Sequence, residues 1–274
     1  MNYKSEKEFL KDYDSSAYEK LSMTSDIVLI SISSKDSNNY RKNEEKRMSI
    51  LLVNRKDYPY KGKWCLPGGF LDPKKETLEE CAKRVLKKET NLSNVYLEQL
   101  CTFDRLDRDP RMRVVSTAFV ALVDKQRLTE KVENAKWFDV VKLIEKDGIV
   151  EFHLSDGEEE LVFKIKKVKK DETSNVVEYE TLGEKVLAFD HDCVILAGIE
   201  RIRNKVNYTD IVFHMMPEVF TLKELQNVFE VILNKKLLDP AFRRIIKDKV
   251  EKTNLIKTGE GHRPSVMFRY KNYE

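Results

Sequence analysis

The feature that most constrains this chain is a glycine pair, Gly68-Gly69, that ends a strand and opens a short loop, Phe70-Leu71-Asp72-Pro73-Lys74-Lys75-Glu76. The loop runs straight into a helix-patterned stretch from Thr77 to Leu92. There Leu78, Cys81, Ala82, Val85, Leu86 and Leu92 recur at about 3.6-residue spacing, which gives the helix one apolar stripe. Glu79, Glu80, Lys83, Arg84, Lys87, Lys88 and Glu89 occupy its other face.

This strand, loop and helix resemble a Nudix box, the motif of hydrolases that cleave nucleoside diphosphates linked to another group. The entry Trp64-Cys65-Leu66-Pro67-Gly68-Gly69 matches the family's approach to the box. Its helical part, which in the family reads Arg-Glu-apolar-any-Glu-Glu-any-Gly-apolar, is here Arg84-Val85-Leu86-Lys87-Lys88-Glu89-Thr90-Asn91-Leu92. The departures change the chemistry. Magnesium requires near-octahedral oxygen coordination with carboxylates supplying the charge. Val85 offers no oxygen, and Lys88 brings a positive charge to a cation site. Like charges a few ångströms apart repel by roughly 4 kcal/mol at an effective dielectric near 20, and a dication doubles that. Glu89, Arg84 and the loop acid Glu76 remain, with Glu76 one residue further from Gly69 than the motif's spacing. The expectation is a Nudix fold that binds without cutting, with no catalytic residues, no metal (Glu89 if any) and no required cofactor.

With 274 residues the chain is long enough for two domains, and a net charge of only +3 spread over mixed signs describes a well-solvated surface rather than a polybasic tail. The start, Met1 to Glu8, shows no apolar leader, and no apolar run approaches the roughly 20 residues that span a bilayer. Cys65, Cys81, Cys101 and Cys193 have neither metal-site nor disulfide-scaffold spacing, so reduced thiols and a cytoplasmic protein are expected.

In chain order, residues 1–24 carry Phe9, Leu10, Tyr13, Tyr18 and Leu21 at the loose spacing of a short packing helix. Ile27–Ile32, Met48–Val53, Val95–Phe103, Val114–Val123 and Ala135–Val140 read as strands, with a polar loop over Ser33–Arg47. Strands, box helix and further strands fit a Nudix α/β/α sandwich on a mixed sheet, of class α/β (α+β). Residues 147–187 read as a small antiparallel addition with strands near 149–154, 161–168 and 176–182; its lysines, Lys164, Lys166, Lys167, Lys169 and Lys170, suit a solvated strand face, with a nucleic-acid patch as the alternative. Asp190 is placed to cap a helix from His191 to about Lys205, with Val194, Leu196, Ile199, Ile202 and Val206 inward and His191 at the surface. The Nudix-like unit covers 1–205.

Residues 206–274 form the second unit. From Phe220 onward twelve Lys and Arg face seven Asp and Glu, a local net of +5. Thr221-Leu222-Lys223-Glu224 is a capping box, and Phe220 with Leu225 makes its hydrophobic staple. Asp239-Pro240 then reads as a cap followed by proline at the first helical position. The helix it starts, Asp239 to Val250, buries Phe242, Ile245, Ile246 and Val250 and leaves Arg243, Arg244, Lys247 and Lys249 outside. A hairpin with Gly259-Glu260-Gly261-His262-Arg263-Pro264 at its tip follows. Helix, turn, basic helix and basic hairpin are the plan of a winged helix-turn-helix, with the second helix in a DNA major groove and Arg263 and His262 on the wing. The DNA-facing set is Thr221, Arg243, Arg244, Lys247, His262 and Arg263. A basic surface that docks protein is the alternative.

Together the two units resemble the Nudix-related transcriptional regulators, the NrtR family, through Leu187-Ala188-Phe189-Asp190-His191, Arg201–Lys205, Phe220–Gln226, Phe242-Arg243-Arg244 and Arg263-Pro264. The resemblance implies a dimeric repressor that reads a pseudo-palindromic double-stranded operator and releases it on binding ADP-ribose; some members sense sugars or sugar phosphates instead. The effector would sit near Gly68 and Gly69, with Arg55, Arg105, Arg111 and Arg113 as candidate phosphate contacts or plain surface arginines, and Arg84 would orient Glu89. The rival reading is a working ADP-ribose or sugar-nucleotide pyrophosphatase that holds Mg²⁺ through Glu76, Glu79 or Glu80.

Overall fold

The computed structural model describes residues 5–14, 16, 18–34, 46–123, 134–169, 173, 177–259 and 262–271. Its centre is β1 (Ser22–Ser34), whose apolar residues alternate between the two faces of a sheet because successive side chains of a strand point in opposite directions. β1 pairs antiparallel with β2 (Lys46–Asn54) through Ile30↔Ile50 and parallel with β6 (Val114–Leu122) from Ser22↔Val114 to Ile30↔Leu122. Two short strands, β3 (Trp64–Cys65) and β4 (Gly68–Phe70), attach to β2 and β1, and β5 (Tyr96–Phe103) lies outside β6.

Helices cover both faces. α2 (Leu78–Thr90) packs Ala82, Val85 and Leu86 on Ile27, Leu29, Leu51, Phe119 and Ala121. Thr77 and Glu80 close a reciprocal capping box at its start, and Asn91 ends it in the left-handed conformation that asparagine tolerates. α3 (His191–Lys205) covers the opposite face, with Val194, Ile195, Leu196 and Ile199 against Val28, Ile30, Ile50 and Leu52. The result is the expected α/β/α sandwich on a mixed sheet.

The sheet is wider than the sequence suggested. β7 (Ala135–Lys146) runs on past the aromatic pair and continues through β8 (Ile149–Ser155), β9 (Glu160–Lys169) and β10 (Val177–Leu182), all antiparallel. The expected antiparallel addition over 147–187 thus has its strands where the sequence placed them, and it extends the edge of the main sheet. Its alternation of buried Leu161, Phe163 and Ile165 with outward Val162, Lys164 and Lys166 places the lysines on the solvated face. Helix α1 (Glu6–Asp12) forms, but Phe9, Leu10, Tyr13, Tyr18 and Leu21 are all exposed, so the expected packing helix does not pack. The Ser33–Arg47 loop and the Lys170–Glu172 break lie largely outside the described residues.

Beyond α3 come a 3-10 turn (Ile211–Met215), β11 (Phe220–Thr221), α4 (Leu222–Leu233), α5 (Asp239–Ile246), β12 (Val250–Gly259) and β13 (His262–Tyr270). The strands order as β11-β13-β12, so the hairpin folds back onto the short strand that precedes α4. Phe220, Leu225, Phe229, Ile232, Phe242 and Ile246 join the same core as α3. α5 is shorter than expected: it stops at Ile246, because Val250 is already paired with Tyr270, and Ile245 is exposed rather than inward.

α3 approaches β1 closely only because Gly198 has no side chain. A Cβ there would lie 3.0 Å from Val28 Cγ1 and 3.1 Å from Val28 Cβ. Glycine costs a helix about 1 kcal/mol relative to alanine, so the position is kept for packing, not for propensity. Gly198→Val is expected to lower stability by about 1–3 kcal/mol through overpacking. Urea unfolding monitored by circular dichroism checks this, and an unchanged midpoint would contradict the close contact.

Candidate functional site

Gly68 and Gly69 open a cleft of about 530 Å³ at the β1–β4 edge. Its lining includes Asp26, Arg55, Lys88, Glu89, Arg108, Arg111, Phe70 and Phe189. Gly68 is glycine for lack of room: a Cβ would fall 2.2 Å from Asp26 Oδ1. Two guanidinium groups sit against aromatic rings here. The Arg55 guanidinium carbon lies 4.8 Å from the Phe189 centroid, and Nε of Arg55 donates to the Pro59 carbonyl at 2.7 Å. Arg111 lies between Phe70 at 5.3 Å and Phe189 at 6.0 Å, and Asp109 accepts from its Nε and Nη2 at 3.0 and 2.7 Å. Guanidinium groups held against aromatic rings in one hollow suit a ligand that combines a planar base with an anionic linker.

The floor of the cleft is an ionic cluster drawn from distant parts of the chain. Arg108 donates through Nε and Nη2 to the two Asp190 oxygens at 3.1 and 2.8 Å and through Nη2 to Asp26 Oδ2 at 3.2 Å. The Ser116 hydroxyl donates to the same Asp26 oxygen at 2.6 Å. Burial opposes charge on Asp26, but His191, Arg108 and Ser116 outweigh it and hold the carboxyl well below the usual range. The Leu66 N–H donates to Nδ1 of His191 at 2.9 Å, while Nε2 faces Asp26 Oδ2 at 3.7 Å. Burial lowers the proton affinity of this ring and Asp26 raises it, with the carboxylate prevailing. A proton on Nδ1 would nevertheless displace the Leu66 bond. Both the surface position expected for His191 and the capping role expected for Asp190 are therefore corrected. His191 is buried, and Asp190 stands at the expected N-cap position but makes no side-chain capping bond, because its carboxylate is engaged by Arg108.

The box carboxylates are engaged too. Arg84 donates to both Glu76 oxygens, from Nε at 2.8 Å and Nη2 at 2.6 Å, and Asp72 N–H donates to Oε1 at 3.0 Å. The Arg84 hydrogen bonds and the Asp72 amide push Glu76 down to about 2. Arg84 thus holds Glu76, not Glu89 as expected; Glu89 instead has the Lys88 ammonium 3.1 Å away. The residue that lengthens the loop is taken up in a turn, where Lys75 and Glu76 N–H both donate to the Asp72 carbonyl. Val85 is buried, one methyl lying 3.0 Å from where a Gly69 Cβ would be. The rival's substitute ligands are likewise occupied. Glu80 accepts from Thr77 N–H and hydroxyl at 2.8 and 2.9 Å, and Glu79 pairs with Lys83 at 2.5 Å. Among the described residues no three His, Cys, Asp or Glu side chains are grouped to hold a metal, and the box residues do not fit Mg²⁺.

In the C-terminal unit Gln226 and Glu230 shape the turn between α4 and α5. Gln226 Nε2 donates to the Leu237 carbonyl at 2.9 Å and to Asp239 Oδ1 at 3.0 Å, while Glu230 Oε1 accepts from Leu237 N–H at 3.0 Å. Asp239 therefore serves as a turn anchor rather than the expected cap; Leu238 stands at the cap position and Pro240 lies in the first turn. Arg243, Arg244 and Lys247 are exposed together at the end of α5. Thr221 is buried at the start of α4, where its hydroxyl accepts from Glu224 N–H at 3.2 Å. Lys249 pairs with Asp210 at 2.7 Å and is not left free. His262 pairs by backbone with Gly259 at the hairpin tip, but the His262 and Arg263 side chains lie outside what the structure describes.

Residues 39–155 match the NUDIX domain and residues 212–270 match the NrtR DNA-binding winged helix domain. The chain is 30% identical to the ADPR responsive transcriptional repressor NtrR of Acinetobacter baylyi, over 98% of this chain and 90% of that protein. The chain belongs to the NrtR family of Nudix-related transcriptional regulators. Shewanella oneidensis NrtR, in a crystal structure with a 27mer DNA, superposes with a TM-score of 0.65 at 29% identity, covering 91% of this chain and 93% of that one. A MutT/nudix family protein from Enterococcus faecalis gives 0.70 at 27%, covering 97% and 94%.

Of the residues expected to face an effector in this NrtR-family chain, Gly68, Gly69, Arg55 and Arg111 line the cleft. Arg113 does not; its Nη1 donates to the Asp104 and Arg105 carbonyls at 2.6 and 3.0 Å. Arg105 likewise turns to Asp107. Asp26, Arg108, Phe189 and His191 were missed. The available signals were an acid abutting the apolar run Ile27–Ile30 and the Phe189-Asp190-His191 triplet, which periodicity alone reads as a helix start. Arg108→Met is expected to cost about 3–5 kcal/mol at neutral pH, since it leaves buried carboxylates without their cation. Because the folded state depresses Asp26, its contribution is fully present above the unfolded value near 3.9 and is lost as the pH falls below it. The gap between wild type and variant should therefore narrow in acid. Urea unfolding across pH checks this, and a pH-independent gap would contradict it.

Proposed function

We propose that this protein is an effector-responsive transcriptional repressor, acting in the cytoplasm as a two-fold dimer, whose Nudix cleft binds ADP-ribose without hydrolysing it. Its winged helix would bind a pseudo-palindromic operator with half-sites about one helical turn, roughly 34–36 Å, apart. The observation that carries the reading is the pairing, in one chain, of two features. One is a cleft whose remaining box carboxylate Glu89 is met by Lys88. The other is a helix end that presents Arg243 and Arg244 together. Support for the ligand's identity comes from the Acinetobacter relative, which is named for its response to ADPR. The Shewanella relative was crystallised with DNA, which supports the partner.

In this reading the Phe70, Arg111, Phe189 and Arg55 surfaces receive the planar and anionic parts of the effector, and Lys88 adds a cation where the diphosphate would lie. Arg243, Arg244 and Lys247, joined by His262 and Arg263 of the wing, contact phosphates or base edges, whereas Thr221, expected among them, is buried and caps α4 instead. No cofactor is required. ADP-ribose can displace DNA only by binding the two conformations with different affinity, and the coupling must be reciprocal.

The test is anisotropy with DNA from upstream of the gene, with calorimetry for ADP-ribose. Arg243→Ala combined with Arg244→Ala should weaken operator binding at least 100-fold and leave ADP-ribose affinity unchanged, and ADP-ribose should release wild-type protein from DNA. Undiminished operator binding by the double variant would contradict the assignment.

A further inference from the structure

We infer that α3 carries the signal between the two units, and that Arg203 and Asn234 are the residues through which it reaches the DNA-binding helices. The inference rests on the proposed function, since it presumes a ligand in the cleft and DNA on α5.

α3 has its first residues in the cleft and its last turn against α4. At the near end, Phe189 stands in the left-handed conformation with φ 59° and carries the Arg55 guanidinium on its ring, while Asp190 grips Arg108 and His191 accepts from Leu66. A ligand that engages Arg55, Arg111 or the Phe189 ring therefore acts directly on the start of this helix. Between the ends α3 cannot flex freely: residues 191–199 are buried, and Gly198 lies tight on Val28. A fifteen-residue helix is about 22 Å long, so a small tilt at one end moves the other as a rigid body.

At the far end Arg203 Nε donates to the Ile232 carbonyl at 3.1 Å, in the last turn of α4. Its Nη1 lies 3.8 Å from Glu145 on β7. Asn234, which ends α4 with φ 51°, donates through Nδ2 to the Leu143 carbonyl of the same strand at 3.2 Å. One helix end is thus tied both to α3 and to the sheet, and a displacement of α3 relative to β7 must be felt by α4. From there the Gln226 and Glu230 bonds to Leu237 and Asp239 fix α5, which presents Arg243 and Arg244. The path is an unbroken series of packed helices and hydrogen bonds with an element at its centre that both ends can bias. Neither Arg203 nor Asn234 touches the cleft or the basic end of α5, so neither belongs to the binding surfaces.

The distinguishing measurement is the coupling factor, the ratio of operator Kd with saturating ADP-ribose to that without it. It is read for wild type, Arg203→Ala and Asn234→Gly, the glycine keeping the left-handed backbone. In the variants the factor should drop at least tenfold toward one. Operator affinity without ligand and ADP-ribose affinity without DNA should each stay within about threefold of wild type, a pattern that merely loosened folding would not give. A factor equal to wild type in a folded variant would overturn the inference while leaving the proposed function standing. A wild-type factor of one would overturn the proposed function itself, and this inference with it. Should Arg203→Ala fail to fold, Asn234→Gly decides by the same ratio.

Discussion

Arg108 lies buried between Asp26 within the central strand and Asp190 at the head of α3, and the rest of the structure is arranged around that contact. Removing two carboxylates and a guanidinium from water is costly, and a well-packed apolar cluster could replace them with no loss of stability. Stability is therefore a weak account of the cluster, and position supplies a better one. The cluster fixes the loop between β5 and β6, the first turn of α3 and the edge of β4 relative to one another at the base of the cleft. A side chain at Gly68 would have to displace the Asp26 carboxylate, so the glycine that opens the box and the acid beneath it are one constraint seen from two sides.

A hydrolase needs its acids free to face a cation. Here the loop acid Glu76 is held by Arg84, the helix acid Glu89 has an ammonium beside it, and between them position 85 is a buried valine. What survives is the scaffold: capping box, glycine turn and the arginine that ties loop to helix. Those parts shape a cavity whether or not chemistry occurs in it, so recognition can outlast catalysis. For the proposed regulator that would be useful, because an uncleaved ligand would persist long enough to bias a distant helix.

Much of this was legible in the sequence because its signals are local. The Thr77 and Thr221 capping boxes, the 3.6-residue stripe of α2 and the strand alternation of Leu161, Phe163 and Ile165 each follow from near neighbours. What escaped depends on contacts between remote positions. Nothing beside Asp190 reveals that its carboxylate is claimed by a residue eighty-two positions earlier, so it read as a cap. His191 read as surface for the same reason. The early end of α5 follows from the pairing of Val250 with Tyr270, and the continuity of β7 with β10 follows from sheet pairing that no single segment encodes.

The claim on which the account turns is that the cleft recognises its ligand and leaves it whole. The direct measurement is chromatography of ADP-ribose incubated with stoichiometric protein in excess Mg²⁺ or Mn²⁺. ADP-ribose is expected to co-elute with the protein and to be recovered intact after denaturation. Steady, metal-dependent appearance of AMP and ribose 5-phosphate over many turnovers would contradict it.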